Sequence, residues 1–272
     1  MMAIVNRTKD SFYDRGATFG ERAALAAVDR AVADGADLVD FGGVRAGAHG
    51  EHVAASEEIR RVVPLVEQVR ERHPDLVISV DTWRHDVGRA ACAAGADLIN
   101  DTWAGADPRL AEVAAEFGVG MVCSHTGGAA PRTDPHRVRY TDVVAEVAAE
   151  LVASAERLVA LGVPKEGVLI DPTHDFGKNT WHGLELLRRL DELVDTGWPV
   201  LMALSNKDFV GETLDVALAD RIDGTLAATS VAAMAGARVF RAHEVARTRK
   251  VVDMVASIRG TRPPARCLRA LA

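Results

Sequence analysis

Short runs of apolar residues alternate along the whole chain with longer stretches in which apolar residues recur at helical spacing. The short runs contain few polar side chains, which is typical of strands in a parallel sheet covered on both faces. They predict strands at residues 2–5, 38–41, 76–80, 98–99, 119–123, 168–170, 200–204 and 238–240. The stretches between and after them predict helices near residues 21–34, 56–72, 84–94, 107–117, 141–161, 181–195, 212–236 and 243–258.

This alternation predicts βαβ units, and eight units favour an α/β fold of the (β/α)8 TIM barrel type. Such a barrel takes about 250 residues, which fits a chain of 272 residues. A doubly wound open sheet is the alternative, but no Gly-x-Gly-x-x-Gly follows the first strand. Glycines that favour a left-handed C-cap stand between helix and strand at Gly35, Gly95, Gly118, Gly162 and Gly197. We predict a single barrel domain over residues 1–258, followed by a basic tail over residues 259–272.

The chain is acidic, with 32 lysine and arginine residues against 39 aspartate and glutamate residues and a net charge of −7. It lacks the basic footprint of a nucleic-acid binder, so we expect no nucleic-acid partner. No apolar run approaches the roughly 18 residues that span a bilayer, so we expect no membrane insertion. The three cysteines are far apart and fit a reducing compartment. The first residues lack the basic flank of a signal peptide, so we predict a cytoplasmic protein.

Polar residues recur at the carboxyl ends of the predicted strands, where (β/α)8 barrels carry their active sites. Any single aspartate, asparagine or serine there could simply cap the next helix. Capping explains Lys207 and Arg241 poorly, because cations are disfavoured at helix N-termini. The whole set indicates a site for a polar, partly anionic ligand and comprises Asn6, Asp40, Asp81, Asn100, Ser124, His125, Asp171, Ser205, Lys207, Arg241 and His243.

The side chains of Asp81, Asn100 and Asp171 combine donors and acceptors that suit a heterocycle with amide and amine edges. A buried carboxylate can accept two N–H donors from such a ring. Arg241 and His243 suit a phosphate or pyrophosphate, and a guanidinium can also stack on an aromatic face. Asn6 could hold Mg²⁺ carried by the phosphates, since Mg²⁺ takes few protein ligands and keeps its waters.

Seven motifs, each at a predicted strand end and all in the same order, resemble those of the dihydropteroate synthases. These are pterin-binding (β/α)8 barrels of the folate pathway. The family's N-V-T-P-D-S-F-S-D-G, D-x-G-G, S-I-D-T and I-N-D correspond to residues 6–16, 40–43, 79–82 and 99–101. Its D-P-G-x-G-F-x-K and S-R-K-x-F partly match residues 171–178 and 205–209, and its R-x-H-D-V matches residues 241–245. The resemblance extends from Met2 to about Ile258 and favours a divergent second homologue of the actinobacterial type.

The resemblance implies a transferase that joins 4-aminobenzoate to 6-hydroxymethyl-7,8-dihydropterin pyrophosphate and releases pyrophosphate. The residues implied as substrate-binding are Asp81, Asn100, Asp171, Phe176, Ser205, Lys207 and Arg241. Arg241 would stack on the pterin ring and, with His243 and Asn6, hold the pyrophosphate and Mg²⁺. Lys207, Arg241 and His243 are the implied catalytic residues, because the reaction needs stabilisation of separating charge.

The same resemblance implies a homodimer formed through the late helices near residues 212–236 and 243–258. An alanine-rich face in the first of these helices would allow close approach of a second helix. The alternative is that this face packs on the barrel. Its residues are Ala227, Ala228, Val231, Ala232 and Ala235.

The chain departs from the family pattern mainly around the second substrate. After Gly43 the family has E-S-T-R-P-G, whereas residues 44–49 read V-R-A-G-A-H and lack the glutamate and the hydroxyls. Thr173 and Asp175 replace two glycines of the family, and Asn206 replaces an arginine. Two functions therefore stay open: a working synthase, or a divergent paralogue with little or no synthase activity. The paralogue would keep a pterin and anion site but use another acceptor or only bind ligand.

Overall fold

Eight parallel strands form a barrel in the computed structural model, which describes residues 1–9, 16–47, 50–133 and 138–268. The strands are β1 (Met2–Asn6), β2 (Leu38–Gly42), β3 (Val77–Asp81), β4 (Leu98–Asp101), β5 (Gly120–Ser124), β6 (Val168–Asp171), β7 (Leu201–Met202) and β8 (Val239–Ala242). Each strand from β1 to β5 pairs with its successor, β7 pairs with β8, and β8 pairs with β1. A bridge between Ile170 and Val200 closes the ring between β6 and β7. The predicted (β/α)8 barrel is therefore confirmed.

The helices surround the barrel, and all but α7 and α9 directly follow a strand or its loop. They are α1 (Glu21–Ala33), α2 (Ala55–Arg72), α3 (His85–Ala93), α4 (Arg109–Phe117), α5 (Val143–Ala160), α6 (Thr180–Arg188), α7 (Leu190–Val194), α8 (Asp208–Leu214), α9 (Ile222–Ala235) and α10 (Val245–Ile258). The described residues of the tail, 259–268, form neither helix nor strand. None of the helices is long and apolar enough to cross a membrane, as far as the described residues go.

Two predicted helices are wrong in their extent. The stretch 181–195 is broken at Arg189, whose backbone (φ −114°, ψ 30°) leaves the helical region. The stretch 212–236 is broken at Asp215, which adopts a left-handed φ of 54° and ends α8. Aspartate tolerates this conformation because its short side chain can bond locally. A 3₁₀ turn at Leu218–Asp220 then separates α8 from α9.

The predicted glycine C-caps are confirmed by the backbone, since all five of those glycines have positive φ. Gly118 shows the physical reason, because it ends α4 at φ 65° and its N–H donates to the carbonyls of Ala114 and Ala115. A left-handed residue here satisfies carbonyls that would otherwise lack a partner at the end of the helix.

The strand side chains alternate between an inner and an outer face, which places the polar residues of the mouth. The inner apolar layer includes Leu38, Leu98, Leu169 and Val239, which cluster around the fully buried Met2. Two residues further along the same strands stand Asp40, Asn100, Asp171 and Arg241. The period of two therefore brings these polar side chains onto the inner face, just above the apolar layer.

Candidate functional site

Asp40 on β2 is the centre of a buried polar network inside the barrel, and its side chain is fully buried. Its Oδ1 accepts a hydrogen bond of 2.5 Å from Ser79 Oγ. Its Oδ2 accepts hydrogen bonds from Arg241 Nε at 2.6 Å and from Asn100 Nδ2 at 3.1 Å. The sequence placed Asp40 at a strand end but assigned it no ligand contact. The signal that distinguishes it is a carboxylate within an otherwise apolar strand.

Arg241 joins Asp40 to Asp81, the strand-end residue of β3. Its Nη2 donates to Asp81 Oδ2 at 3.0 Å, while Thr102 Oγ1 donates to the other oxygen at 3.1 Å. Burial raises the pKa of Asp81 to about 7; the nearby Asp40 adds to the rise and Arg241 opposes it. The structure thus brings together two predicted site residues, Asp81 and Arg241, in a cluster where one guanidinium faces two carboxyl groups.

Asn100 and Asp171 bring hydrogen-bonding groups to the same inner face. Asn100 is buried, and its Oδ1 has no hydrogen-bond partner among the described residues. Asp171 Oδ1 accepts a hydrogen bond from the Thr173 backbone N–H at 2.7 Å, and burial raises the pKa of its carboxyl group. A buried amide oxygen without a partner costs free energy, so it favours a ligand that brings a donor.

Ser205 and His243 meet at the carboxyl ends of β7 and β8. The Ser205 hydroxyl lies 2.9 Å from His243 Nδ1, and the His243 backbone N–H donates to the same hydroxyl at 3.2 Å. These contacts fix the orientation of the imidazole at the mouth. Arg241 precedes His243 by two residues at the end of β8. Hydroxyl, imidazole and guanidinium groups can all donate hydrogen bonds to phosphate oxygens.

Lys207 follows β7 and is paired within the protein. Its Nζ donates to Asp175 Oδ2, which belongs to the loop after β6. Asp175 is one of the residues that replace a glycine of the family motif, and sequence comparison could not show what it would contact. The predicted ligand-binding ammonium is therefore already bound to a carboxylate.

Lys178 holds the loop after β6 in place, a role that the sequence analysis did not assign. Its Nζ donates to the carbonyls of His125, Thr173 and Phe176 at 3.0 to 3.1 Å, and lies 2.9 Å from His125 Nδ1. Burial lowers the pKa of Lys178 to about 7. Lys178 lies in the partly matching motif at residues 171–178, which could have drawn attention to it. Only the structure shows that its ammonium binds backbone carbonyls.

Three aromatic rings form a cluster in the loops after β3, β4 and β6, the strands that carry Asp81, Asn100 and Asp171. Phe176 lies with its ring centroid 4.5 Å from that of the buried Trp103, which in turn contacts Trp83 edge to face at 6.4 Å. Phe176 itself is half-buried. Aromatic rings in such clusters prefer offset or edge contacts, and their flat faces suit a planar heterocycle.

Asn6 ends β1 on the inner face, and a Cβ built on Gly42 would stand 3.6 Å from its Oδ1. The glycine therefore leaves space open beside the amide. Most of the loop that follows Asn6 in the first family motif, residues 10–15, lies outside the described residues. The amide oxygen is a hard donor of the kind that Mg²⁺ prefers.

The loop after β2 is held by arginines from helix α2 and from the loop after β5. Arg132, in the loop after β5, donates from Nη1 to the Glu51 carbonyl at 2.8 Å. Arg61 on α2 donates to the Gly43 carbonyl at 3.2 Å and to the Glu51 carboxylate at 3.0 Å. Residues 48 and 49 of the altered segment lie outside the described residues. The described part of this loop offers backbone groups and Arg45 where the family has a glutamate and hydroxyls.

Comparison with known proteins gives the same family as the motifs. The pterin binding enzyme family matches residues 2–243. The chain is 64% identical over 276 residues to "Inactive dihydropteroate synthase 2" of Mycobacterium leprae (strain TN), covering 100% of this chain and 94% of that protein. It is 38% identical over 248 residues to the dihydropteroate synthase of Haemophilus influenzae, covering 91% and 90%.

A solved structure shows the same fold. The Yersinia pestis dihydropteroate synthase in a sulfonamide drug complex matches with a TM-score of 0.88 and 34% identity, covering 96% of this chain and 94% of that one. The extent of the family match, the identity to these relatives and the shared barrel agree. The chain belongs to the pterin binding enzyme family, as a protein like the dihydropteroate synthases.

Proposed function

We propose that this chain binds 6-hydroxymethyl-7,8-dihydropterin pyrophosphate in the barrel mouth. It would transfer the pterin-methyl group to the amine of 4-aminobenzoate, with release of pyrophosphate and of the amine proton, slowly or not at all. The observation that carries the proposal is the buried network of Asp40, Asp81 and Arg241. A network of this kind costs free energy to desolvate, so its position at the mouth favours a role in ligand binding. The name of the Mycobacterium leprae relative supports the low synthase activity.

The pterin ring would bind through its amide and amine edge. Asp171 and the unpartnered Asn100 Oδ1 offer acceptors to the ring N–H groups, and Asp81 adds a carboxyl group beside them. Phe176 supplies a flat face next to the ring. Lys207 would approach a ring acceptor.

The pyrophosphate would bind beside this ring site. Phosphate oxygens could accept hydrogen bonds from the side chains of Arg241, His243 and Ser205. Arg241 would also stack on the ring, with its charge directed at the bond that breaks. The negative charge that develops on the departing pyrophosphate would be stabilised by Lys207, Arg241 and His243.

Asn6 is the proposed protein ligand of Mg²⁺. No cluster of three or more histidine, cysteine, aspartate or glutamate residues that could hold a metal occurs in the described ranges. The single amide oxygen therefore fits an ion that takes its other ligands from phosphate and water. Bound there, Mg²⁺ would neutralise charge on the phosphates. Calorimetry should show Mg²⁺-dependent pyrophosphate binding that Asn6→Ala removes; binding unchanged in this variant would reject the assignment.

The second substrate would find an altered pocket. The loop after β2 lacks the glutamate and hydroxyls of the family motif, and Arg61 and Arg132 hold its backbone at Gly43 and Glu51. An amine acceptor would therefore be positioned poorly, and misplacement by about 1 Å can lower a rate by two orders of magnitude.

The test combines two measurements on the purified chain. Calorimetry measures binding of the pterin pyrophosphate with Mg²⁺, and a pyrophosphate assay with 4-aminobenzoate measures turnover. We expect binding with little or no release, and Asp171→Asn should weaken binding at least about tenfold, a loss of about 1.4 kcal/mol. Asp37→Asn is the matched control, because Asp37 pairs with the N-terminus and Arg249 before β2 begins. Absence of binding would reject the pterin site, and rapid turnover would establish a working synthase.

The homodimer is part of the same proposal. Val231 and Met234 on α9 and Met254 and Ile258 on α10 expose large apolar side chains. In the alanine-rich face Ala232 is buried against the barrel core, whereas Ala227 is exposed, so only part of that face is available to a second copy. Sedimentation should show a dimer that Met234→Glu weakens and Leu161→Glu, on another exposed surface, does not. A monomeric wild type would reject the dimer.

The cytoplasm is the proposed compartment. Cys92 and Cys123 are buried free thiols, and burial raises the pKa of Cys92 to about 11 and that of Cys123 to about 12. Thiols with such values carry little thiolate and are unsuited to disulfide exchange. Cell fractionation with an antibody against the chain tests this compartment, and recovery from an exported fraction would contradict it.

A further inference from the structure

The pair of Lys207 and Asp175 joins two different loops at the barrel mouth. Lys207 lies between β7 and α8, and Asp175 lies between β6 and α6. Their side chains are mostly buried, with 16% and 31% of their surface exposed. An ammonium and a carboxylate in contact are shielded here from much of the competing water, so the pair is stronger than one on an open surface.

Hydrogen bonds to the backbone hold the two loop segments that carry Asp175 and Lys207. Asp175 lies within the segment whose carbonyls at Thr173 and Phe176 bind Lys178. On the other side, the backbone N–H of Asn206 donates to Thr225 Oγ1 at 3.1 Å, and Arg221 donates to the Asn206 carbonyl at 3.0 Å. The pair therefore joins two fixed loop segments rather than two freely moving side chains.

Asp208, the residue directly after Lys207, does not pair with the Lys207 ammonium. Instead, Asp208 Oδ1 accepts a hydrogen bond from Arg221 at 2.7 Å, and the Asp208 side chain is largely exposed. Two acidic residues thus lie close to Lys207, and only Asp175 contacts its ammonium. This difference provides a matched control for removal of one negative charge.

We propose that Asp175 is a specificity-determining residue, an internal carboxylate that occupies Lys207 and weakens the binding of ligands that offer only a neutral carbonyl to that ammonium. The inference rests on the proposed pterin site. An ammonium binds a carboxylate more strongly than a neutral carbonyl, because two full opposite charges attract each other in addition to the hydrogen bond. A pterin carbonyl must therefore displace Asp175, whereas a ligand that brings its own N–H donors can use Asp175 as an acceptor.

The experiment compares wild type, Asp175→Asn, Asp175→Gly, Asp208→Asn and the double variant Asp175→Asn/Lys207→Met. Calorimetry with 6-hydroxymethylpterin probes the ring site without the pyrophosphate site. Removal of the Asp175 charge should tighten binding about tenfold, the change expected when a competing charged acceptor is lost. The Asp208 variant should bind as the wild type does, and the double variant should lose the gain because the gain acts through Lys207. Circular dichroism checks that each variant is folded.

A second readout does not depend on the ligand. Trace acetylation followed by mass spectrometry reports how readily Lys207 reacts, and a carboxylate held against the Lys207 nitrogen hinders the approach of the reagent. Lys207 should react faster in Asp175→Asn than in the wild type and in Asp208→Asn.

The outcomes separate this inference from the proposed function. Equal pterin affinity in wild type and both Asp175 variants would overturn the role of Asp175 while leaving the pterin site intact. If no variant binds the pterin and Lys207 reacts equally in wild type and Asp175→Asn, both the proposed pterin site and the role of Asp175 would be overturned. Failure to bind together with faster Lys207 reaction would reject the pterin site and, with it, the specificity role, leaving only the ion pair.

Discussion

Arg241 Nε lies 2.6 Å from Asp40 Oδ2, although 201 positions separate the two residues in the chain. Closure of the barrel makes this contact possible, because β8 pairs with β1 and β1 pairs with β2. The same carboxylate also accepts hydrogen bonds from Ser79 and Asn100, so one buried group connects four strands.

Removal of the Asp40 carboxylate should destabilise the fold strongly. Asp40→Ala leaves the guanidinium of Arg241 with one carboxylate and leaves two buried donors without their acceptor. Loss of one partner from a buried ion pair costs about 3 to 5 kcal/mol. Urea unfolding measures the effect, with Asp208→Ala as an exposed control expected within about 0.5 kcal/mol of wild type. A loss below about 1 kcal/mol for Asp40→Ala would contradict this account.

The stability contributed by Asp81 should fall as the pH rises from about 4 to about 7. Burial raises the pKa of Asp81 from its ordinary value of 3.8 to about 7, so the folded state favours the protonated carboxyl group. Its contribution is therefore fully present below pH 4 and is lost by pH 7. The free energy of unfolding of wild type should decline over this range relative to Asp81→Asn, which cannot ionise. A constant difference, or one of opposite sign, would show that burial does not govern this group.

Gly177 should tolerate no side chain, whereas Gly128 should tolerate one at modest cost. Both have left-handed backbone, with φ of 63° and 79°. A Cβ at Gly177 would stand 2.3 Å from the Thr126 carbonyl oxygen, whereas one at Gly128 would meet nothing within 4 Å. Gly177→Ala should cost about 3 kcal/mol, and Gly128→Ala only the left-handed strain of about 1 kcal/mol. Thermal unfolding of the two variants checks the difference, and equal costs would exclude the clash.

Replacement of Lys178 should loosen the loop that carries Asp175 and Phe176. Lys178→Met keeps the volume but leaves three backbone carbonyls without their donor, at a cost of about 2 kcal/mol. We expect weaker 6-hydroxymethylpterin binding as well, because the loop no longer holds its residues in place. Lys165→Met, at an exposed 3₁₀ turn, is the control for loss of a lysine. Unchanged stability and binding in Lys178→Met would remove the loop-fixing role.

The fold could be predicted largely because its signals are local. Apolar runs, helical spacing and glycine C-caps each depend on neighbouring residues, and they predicted eight strands at nearly the observed positions. The breaks at Arg189 and Asp215 escaped prediction, because helical spacing continues across both. At the first break, the Arg189 guanidinium forms paired hydrogen bonds with Asp142 at the N-terminus of α5, a contact between segments 47 positions apart that helical spacing does not encode.

By itself, the sequence determined that this protein is a (β/α)8 barrel of a pterin-binding family with its polar residues at the mouth. It did so because the apolar runs of the strands, the helical spacing between them and the order of the motifs are all properties of the linear sequence. Only the tertiary structure decided which charges meet: Arg241 with Asp40 and Asp81, and Lys207 with Asp175. These pairs join residues from different strands and loops, and their partners depend on barrel closure and loop path. The availability of each charge for a ligand therefore depends on distances that no local pattern contains.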